Sequence, residues 1–285
     1  MNKEYLEIKN ELDRRLECLL TKHCSSDNPL YHVMEHGITT PGKRIRGVMT
    51  VVFCRRLSVA DELSFPFAEA LELIHAYSLV HDDMPEMDND QYRRGVLTCH
   101  AKYGADMALL AGDGILNLAV EHLLKNRKLF KPFCFLDAME ALFNAAGANG
   151  MLCGQALDKE GESRILTMDE LLLVHKKKTG KLLMAPILIA QSLAESENNN
   201  YVNYSRSIGL AFQIKDDILD KEGTLETLGK EAGADSKTNK STFVSLLGLE
   251  QAKEYLNREI LSAQAYADND PFLCWLAEYI ESRKN

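Results

Sequence analysis

The chain has 285 residues, of which 46% are hydrophobic and 26% charged, and its 33 Lys plus Arg against 42 Asp plus Glu give a net charge of −9. Such a composition can bury a sizeable core and excludes a disordered or low-complexity chain. The acidic balance argues against nucleic acid as a partner, because surfaces that track phosphate backbones are basic.

The seven cysteines, at 18, 24, 54, 99, 134, 153 and 274, show no CxxC spacing and read as reduced, mostly buried thiols. The N-terminal stretch beginning Met1-Asn2-Lys3-Glu4 is a charged amphipathic helix, not a signal peptide. No run approaches the apolar length needed to span a bilayer, so no stable membrane insertion is expected. A reducing cytoplasm is the expected location.

Helical periodicity dominates, and alternating strands are absent. The pattern predicts helices over 2–22, 43–57, 65–83, 105–125, 133–157, 167–193, 198–220, 241–247, 249–267 and 271–283. Turn residues separate them, as at Ser25-Ser26-Asp27-Asn28-Pro29, Thr39-Thr40-Pro41-Gly42 and Asp268-Asn269-Asp270-Pro271. Composition shows no seam, and the expected organisation is a single domain, 1–285, of the all-α class. The polar stretch 221–240 is the longest helix-poor segment, and loops of that length are often functional.

Two acidic clusters carry the chemistry. The first, Asp82-Asp83-Met84-Pro85-Glu86-Met87-Asp88, ends a helix that is apolar on nearly all sides; the second, Asp216-Asp217-Ile218-Leu219-Asp220, ends another. Asp216 and Asp220 are four apart and Asp217 and Asp220 three apart, so their carboxylates share a helical face and repel one another unless a cation sits between them. A single such cluster reads equally well as a solvated helix end; two together point to divalent metals held between facing helices. Oxygen ligands with few His or Cys nearby favour Mg²⁺, which binds one or two carboxylates and completes its shell with water and phosphate.

Basic residues supply the counterpart. Gly42-Lys43-Arg44-Ile45-Arg46-Gly47 opens a helix, where unpaired backbone N–H groups beside Lys and Arg make an anion seat. Arg93-Arg94 follow the first cluster, Lys176-Lys177-Lys178-Thr179-Gly180 interrupt an apolar helix, and Lys230 and Lys240 flank the polar stretch. Any one basic run is usually a solvated face; three beside two acidic clusters fit a diphosphate lying between cations and metals. His75 lies two turns before Asp82; alone it would be a core histidine, and beside an anion site it becomes a candidate diphosphate ligand.

In this order, GKRIRG, His75, HDDMPEMDNDQYRRG, KKKTG, GLAFQIKDDILD and the NKST at 239–242 resemble the motif set of trans-polyprenyl diphosphate synthases, and the spacing within DDMPEMD is most similar to that of the bacterial farnesyl diphosphate synthases. The resemblance covers about residues 42 to 242. It implies an isoprenoid synthase-type bundle of about ten or more helices around a central apolar cavity, a homodimer, and Mg²⁺, about three ions assembled with the allylic diphosphate. It also implies roles by position. Asp82, Asp83 and Asp88 match the first metal motif, with Asp82 and Asp88 the direct ligands. Asp216 matches the direct ligand of the second, with Asp217 and Asp220 supporting through water. Arg93, Lys178, Lys230 and Lys240 match contacts to the allylic diphosphate; Gly42, Lys43, Arg46, His75 and Arg94 match the isopentenyl diphosphate seat. Thr179 and Gln213 match residues beside the reacting carbons, and Gln155 and Asp158 match a further motif on the cavity wall.

The implied reaction is ionisation of dimethylallyl or geranyl diphosphate, attack by isopentenyl diphosphate on the allylic cation, and loss of a proton to the released diphosphate, giving (2E,6E)-farnesyl diphosphate. Tyr77, five residues before Asp82 and so about 7.5 Å up the helix, can floor the pocket, whereas Ser78 leaves room; the lesser alternative is that Tyr77 simply packs in the core. A geranylgeranyl diphosphate synthase is the nearest alternative. A terpene cyclase needs no isopentenyl seat, so Lys43, Arg46 and Arg94 speak against it. A non-catalytic prenyltransferase subunit would lack one of the clusters, and a phosphohydrolase built on His81-Asp82 finds no partner histidines at ligand spacing.

Overall fold

The computed structural model describes residues 2–222 and 240–283. Its elements are helical except for one two-residue hairpin, so the chain is all-α. It divides into two compact units, one comprising Lys3–Ala138 with Ser192–Glu195 and the other Met139–Gln191 with Ser196–Asn285.

The first unit is built on α1 (Lys3–Leu19), α2 (Tyr31–Thr39), α3 (Ile45–Arg56), α4 (Asp61–Asp82), α5 (Cys99–Tyr103) and α6 (Ala105–Asn126), with strands β1 (Tyr92–Arg93) and β2 (Val96–Leu97) after α4. α1 buries one stripe, Tyr5, Ile8, Leu12, Leu16 and Leu19, at the spacing of a surface helix. α4 is buried on most of its circumference, with Phe67, Leu71 and Ile74 fully enclosed. It packs between α3 and α6, and a glycine on α6 allows the approach. A Cβ at Gly112 would stand 2.0 Å from the His81 ring, and His81 Nε2 lies 3.1 Å from the Leu109 carbonyl.

α2 does not figure among the expected helices, and the expected helix 65–83 begins earlier, at Asp61. One expectation needs correcting. Ala105–Leu129 is a single helical run whose most apolar 18 residues have a mean hydropathy of 1.3, long and apolar enough by length and composition to cross a membrane. One face of it supplies the core residues Ala108, Ala111, Ile115 and Ala119.

α7 (Pro132–Ala146) follows, and the second unit contains α8 (Met151–Gly161), α9 (Met168–His175), α10 (Lys181–Ala194), α11 (Asn199–Glu222), α12 (Phe243–Leu247), α13 (Leu249–Tyr266) and α14 (Pro271–Ser282). The expected helix 133–157 is two, broken where Gly150 closes back on Gly147 by an N–H···O bond of 2.9 Å. The expected helix 167–193 is also two, α9 and α10, joined by a π-turn over Lys176–Gly180. α9 starts at a capping box, Thr167 with Glu170, and α14 starts at Asp270, whose carboxylate accepts the N–H groups of Phe272 and Leu273 ahead of Pro271 at the first turn. α11 forms the core of this unit through Tyr204, Ile208, Ala211 and Ile214, packed against α13 and α14.

Candidate active site

α4 carries its acidic cluster at its C-terminus, the negative end of the helix dipole, where a carboxylate is unfavourable without a cation. Past Asp82 the chain doubles back: the Asp88 N–H donates to the Asp82 carbonyl at 2.9 Å, and those of Met87 and Asn89 to the Met84 carbonyl. This closed loop brings Asp82 and Asp88 together on the accessible side. Asp83 turns inward instead. It is 4% exposed, and Arg93 Nε bonds its Oδ1 at 2.6 Å. Burial pushes the Asp83 carboxyl up while Arg93 opposes the shift. Burial would lower Arg93, but its bond to Asp83 holds it raised. Arg93 Nη2 meets the same Oδ1 at 2.5 Å, so two charged donors converge on one carboxylate oxygen as an ion pair. Asp83 is thus committed to a protein partner rather than open to a metal.

The hairpin after this loop aims the two arginines. Arg94 and Gly95 occupy its turn with φ of 54° and 82°, the pair of left-handed residues that a tight two-residue hairpin needs. Arg94 reaches back to donate to the Pro41 carbonyl at 2.8 Å, and its guanidinium rests where a Cβ on Gly42 would be, 2.5 Å away. Arg46 Nη1 lies 3.3 Å from His75 Nε2. Burial and then Arg46 drive the His75 pKa well below its ordinary value, so the ring is neutral and accepts that bond. Burial and then Arg93 lower Arg94 to about 10. Arg44, Arg93, Arg94 and His75 line a small cavity of about 30 Å³ together with Glu72 and Asp83. The neighbouring charges of Arg93 and Arg44 add to the lowering of Arg94, a strain that an anion in the cavity would relieve.

One detail of that seat differs from expectation. α3 starts at Ile45, after Arg44 in the left-handed region at φ 50°, and the Gly47 N–H is taken by Glu72 Oε1 at 2.8 Å. Arg44 is internal, bonded to Asp13 at 2.8 Å. The anion seat is therefore made by side chains, with the Gly47 amide withdrawn from it.

In the second unit Asp217 behaves as Asp83 does. It is 9% exposed; its Oδ2 accepts the Phe243 N–H at 2.7 Å and stands 3.7 Å from His175 Nε2, while the His175 and Phe243 rings stack at 5.6 Å. Asp217 pins the start of α12 to α11. Asp216 is open, with 42% of its side chain exposed, and Arg283 Nη2 meets its Oδ1 at 2.7 Å. A polar chain leads into it: Thr179 Oγ1 donates to Gln213 Oε1 at 3.0 Å, and Gln213 Nε2 donates to Asp216 Oδ2 at 3.2 Å. One turn on, Asp220 Oδ1 is buried without a hydrogen-bond partner.

The π-turn sets the lysines. It widens the helix by one residue, a distortion frequent at functional sites, and α8 approaches it so closely that a Cβ on Gly154 would stand 2.0 Å from the Lys178 nitrogen. Lys177 is spent on the Asn149 carbonyl at 2.7 Å. Lys178 bonds Asp158 Oδ2 at 2.7 Å, and Lys240 lies 3.3 Å from the same oxygen. Burial would raise the Asp158 pKa, but the charges of Lys178 and Lys240 leave it lowered. Lys230 lies outside the described residues.

The carboxylate oxygens of Asp82, Asp88, Asp216 and Asp220 suit a hard divalent cation, and the unsatisfied buried oxygen of Asp220 is the sign of a missing positive partner. Among the described residues no three His, Cys, Asp or Glu converge into a ready-made cage.

Comparison with known proteins decides the family. The polyprenyl synthetase family pattern matches residues 27–271. The chain belongs to the polyprenyl synthetase family. It is 40% identical over 265 residues to farnesyl diphosphate synthase of Micrococcus luteus, covering 91% of this chain and 88% of that protein. To farnesyl diphosphate synthase of Geobacillus stearothermophilus it is 39% identical over 286 residues, covering 96% of each. The crystal structure of geranyltransferase from Legionella pneumophila superposes with a TM-score of 0.87 at 27% identity, covering 97% of this chain and 95% of that one. This polyprenyl synthetase is a prenyl-transferring enzyme.

Tyr77 is 4% exposed and meets the His81 ring edge-on at 5.9 Å; Ser78 Oγ is turned back onto the His75 carbonyl at 2.8 Å. Arg283 has no counterpart in the sequence expectations, because a lone arginine near the end of a polar tail carries no periodic or motif signal. Gln155 lies one turn before Asp158 on α8, with Oε1 buried, and Lys43 is tied to the first helix through its carbonyl, which accepts from Tyr5 at 2.6 Å.

Proposed function

We propose that this polyprenyl synthetase condenses isopentenyl diphosphate with dimethylallyl and then geranyl diphosphate, releasing diphosphate and giving (2E,6E)-farnesyl diphosphate. The single observation that carries the reading is that each unit ends a core helix in an acidic cluster and places basic side chains in the same unit, Arg46 and Arg94 in the first, Lys178 and Lys240 in the second. Relatives named farnesyl diphosphate synthase at 40% and 39% identity support the product.

Asp82 and Asp88, and Asp216 with Asp220, hold Mg²⁺, while Asp83 and Asp217 anchor the loops that present them. When bound, Mg²⁺ supplies positive charge that stabilises the departing diphosphate. Lys178, Lys240 and Arg93 bind the allylic diphosphate; Lys43, Arg46, Arg94 and neutral His75 bind isopentenyl diphosphate with Gly42 giving Arg94 its space. Lys230 belongs with the allylic contacts by position alone. Thr179 and Gln213 line the reacting end through their bonded chain to Asp216, and Gln155 and Asp158 hold the wall beside Lys178. The allylic cation is shielded from water by apolar side chains, and the proton leaves with the released diphosphate.

The enzyme is further proposed to act as a homodimer in the cytoplasm. Leu109 and Leu110 on α6 are 47% and 50% exposed, and Phe133 and Leu136 on α7 are 81% and 59% exposed; side chains of this kind are what a second copy covers. Asp106, Asp113, Glu121 and Lys125 on the same run speak for a protein partner over a lipid one. Incubation with labelled isopentenyl diphosphate and each allylic starter, with products identified by mass, tests the reading. Farnesyl diphosphate from either starter supports it; a hydrocarbon, or no elongation, refutes it.

A further inference from the structure

Arg283 stands one residue past the end of α14, yet its side chain is only 3% exposed. Its guanidinium lies over the Phe212 ring at 4.0 Å. Its Nη2 donates to the Phe212 carbonyl at 2.7 Å and meets Asp216 Oδ1 at 2.7 Å, while its Nε is buried without a hydrogen-bond partner. A guanidinium is not buried in this way unless an anion compensates it, and Asp216 is the carboxylate that does so. The arginine takes one oxygen of Asp216, and Gln213 takes the other at 3.2 Å. Both oxygens of the carboxylate that opens the second acidic cluster therefore already have donors.

We infer that Arg283 is the built-in counter-ion of Asp216, and that a divalent cation must compete with it for that carboxylate. The inference rests on the reading of Asp216 as a metal ligand and adds a partner from the C-terminal tail. A guanidinium at hydrogen-bond distance and a doubly charged cation on the same carboxylate repel each other, so metal loading withdraws Arg283 from Asp216. The Phe212 stack and carbonyl are the arginine's other anchors, so losing Asp216 loosens Arg283 and the end of the chain that it holds without unfolding α14.

The test is Mn²⁺ binding to the full chain, without any diphosphate, followed by the electron paramagnetic resonance signal of unbound Mn²⁺. Arg283→Gln, which keeps the bulk and removes the charge, is expected to bind Mn²⁺ about tenfold more tightly, toward the low end of couplings between competing ligands. Arg283→Lys is expected to stay within about threefold of the parent, since it keeps the charge. Equal or weaker Mn²⁺ binding by a folded Arg283→Gln protein overturns the inference. The parent protein supplies a second measurement that needs no variant: tryptic cleavage after Arg283, read by intact mass, should speed up on adding Mn²⁺ at constant ionic strength, and an unchanged rate also overturns it. Prenyl transfer is assayed separately. Tighter Mn²⁺ binding by Arg283→Gln with no prenyl transfer by the parent refutes the proposed function and keeps the counter-ion; normal transfer by the parent with unchanged Mn²⁺ affinity in Arg283→Gln does the reverse.

Discussion

Gly154→Ala should damage this enzyme although alanine is the better helix former. In an ordinary helix interior the change gains about 0.5–1 kcal/mol. Here the new carbon would lie 2.0 Å from the Lys178 nitrogen, 2.4 Å from its Cα and 2.6 Å from the Lys177 carbonyl carbon. Ordinary contact begins at 3.4 Å, so α8 and the π-turn must part by about 1.4 Å (3.4 − 2.0). Every clashing atom is backbone, so no rotamer relieves it. Overpacking costs about 1–3 kcal/mol, and a rigid backbone clash belongs at the upper end. At about 2 °C per kcal/mol for a chain of this size, Tm should fall by about 6 °C. The same movement pulls Lys178 from Asp158, and a displacement of about 1 Å at such a site costs on the order of 100-fold in turnover. Gly180→Ala is the control, because its new carbon meets nothing nearer than the His175 oxygen at 3.4 Å; its Tm should stay within about 2 °C of the parent. Thermal scanning with a prenyl-transfer assay on both variants settles the matter. A Gly154→Ala protein as stable and as fast as the parent would refute the close approach of α8.

Asp82→Ala should lose roughly 10²–10³-fold in turnover, the usual cost of removing one charge-stabilising group, and near-normal rates would contradict the metal assignment. Tyr77→Ala should lengthen the product, read by mass at a temperature below the variant's Tm, since removing a buried aromatic side chain costs about 3–5 kcal/mol; an unchanged product length returns Tyr77 to plain core packing. His75 has a depressed folded pKa, so below the ordinary histidine value of about 6.5 the unfolded chain takes up a proton that the native one refuses. Its contribution to stability is therefore present above that pH and lost as pH falls below it. His75→Asn should flatten the fall in Tm between about pH 7.5 and 5.5, and an identical slope in both proteins would sink this account.

Much of the site was legible because its chemistry is carried by contiguous motifs. The acidic ends of α4 and α11, the arginines after the first cluster and the lysines of the π-turn all fall where the sequence pattern puts them. The roles within each motif were less visible. Nothing in the string distinguishes Asp83 and Asp217, which are tied inward, from Asp82 and Asp216, because facing is a matter of the turn that follows. The nine-residue α2 holds Gly37 and ends in two threonines, so its propensity is weak and tertiary packing makes it. The break after α7 was announced by Gly147 and Gly150 but masked by apolar periodicity on both sides. The π-turn has no sequence signature at all; close packing against Gly154 is its physical partner. Arg283 was invisible because its anion lies 67 positions away (283 − 216).

If Lys178 and Lys240 take the allylic diphosphate as proposed, the shared grip of Asp158 on both has a consequence for what the enzyme will accept. A bare orthophosphate approaching those lysines must outbid a carboxylate already seated between them, and it brings no cation to console the aspartate it displaces. A magnesium–diphosphate composite carries both signs and can settle every broken pair in one exchange. Selectivity against stray inorganic ions is then written into the protein's own internal neutrality, before any prenyl tail is felt.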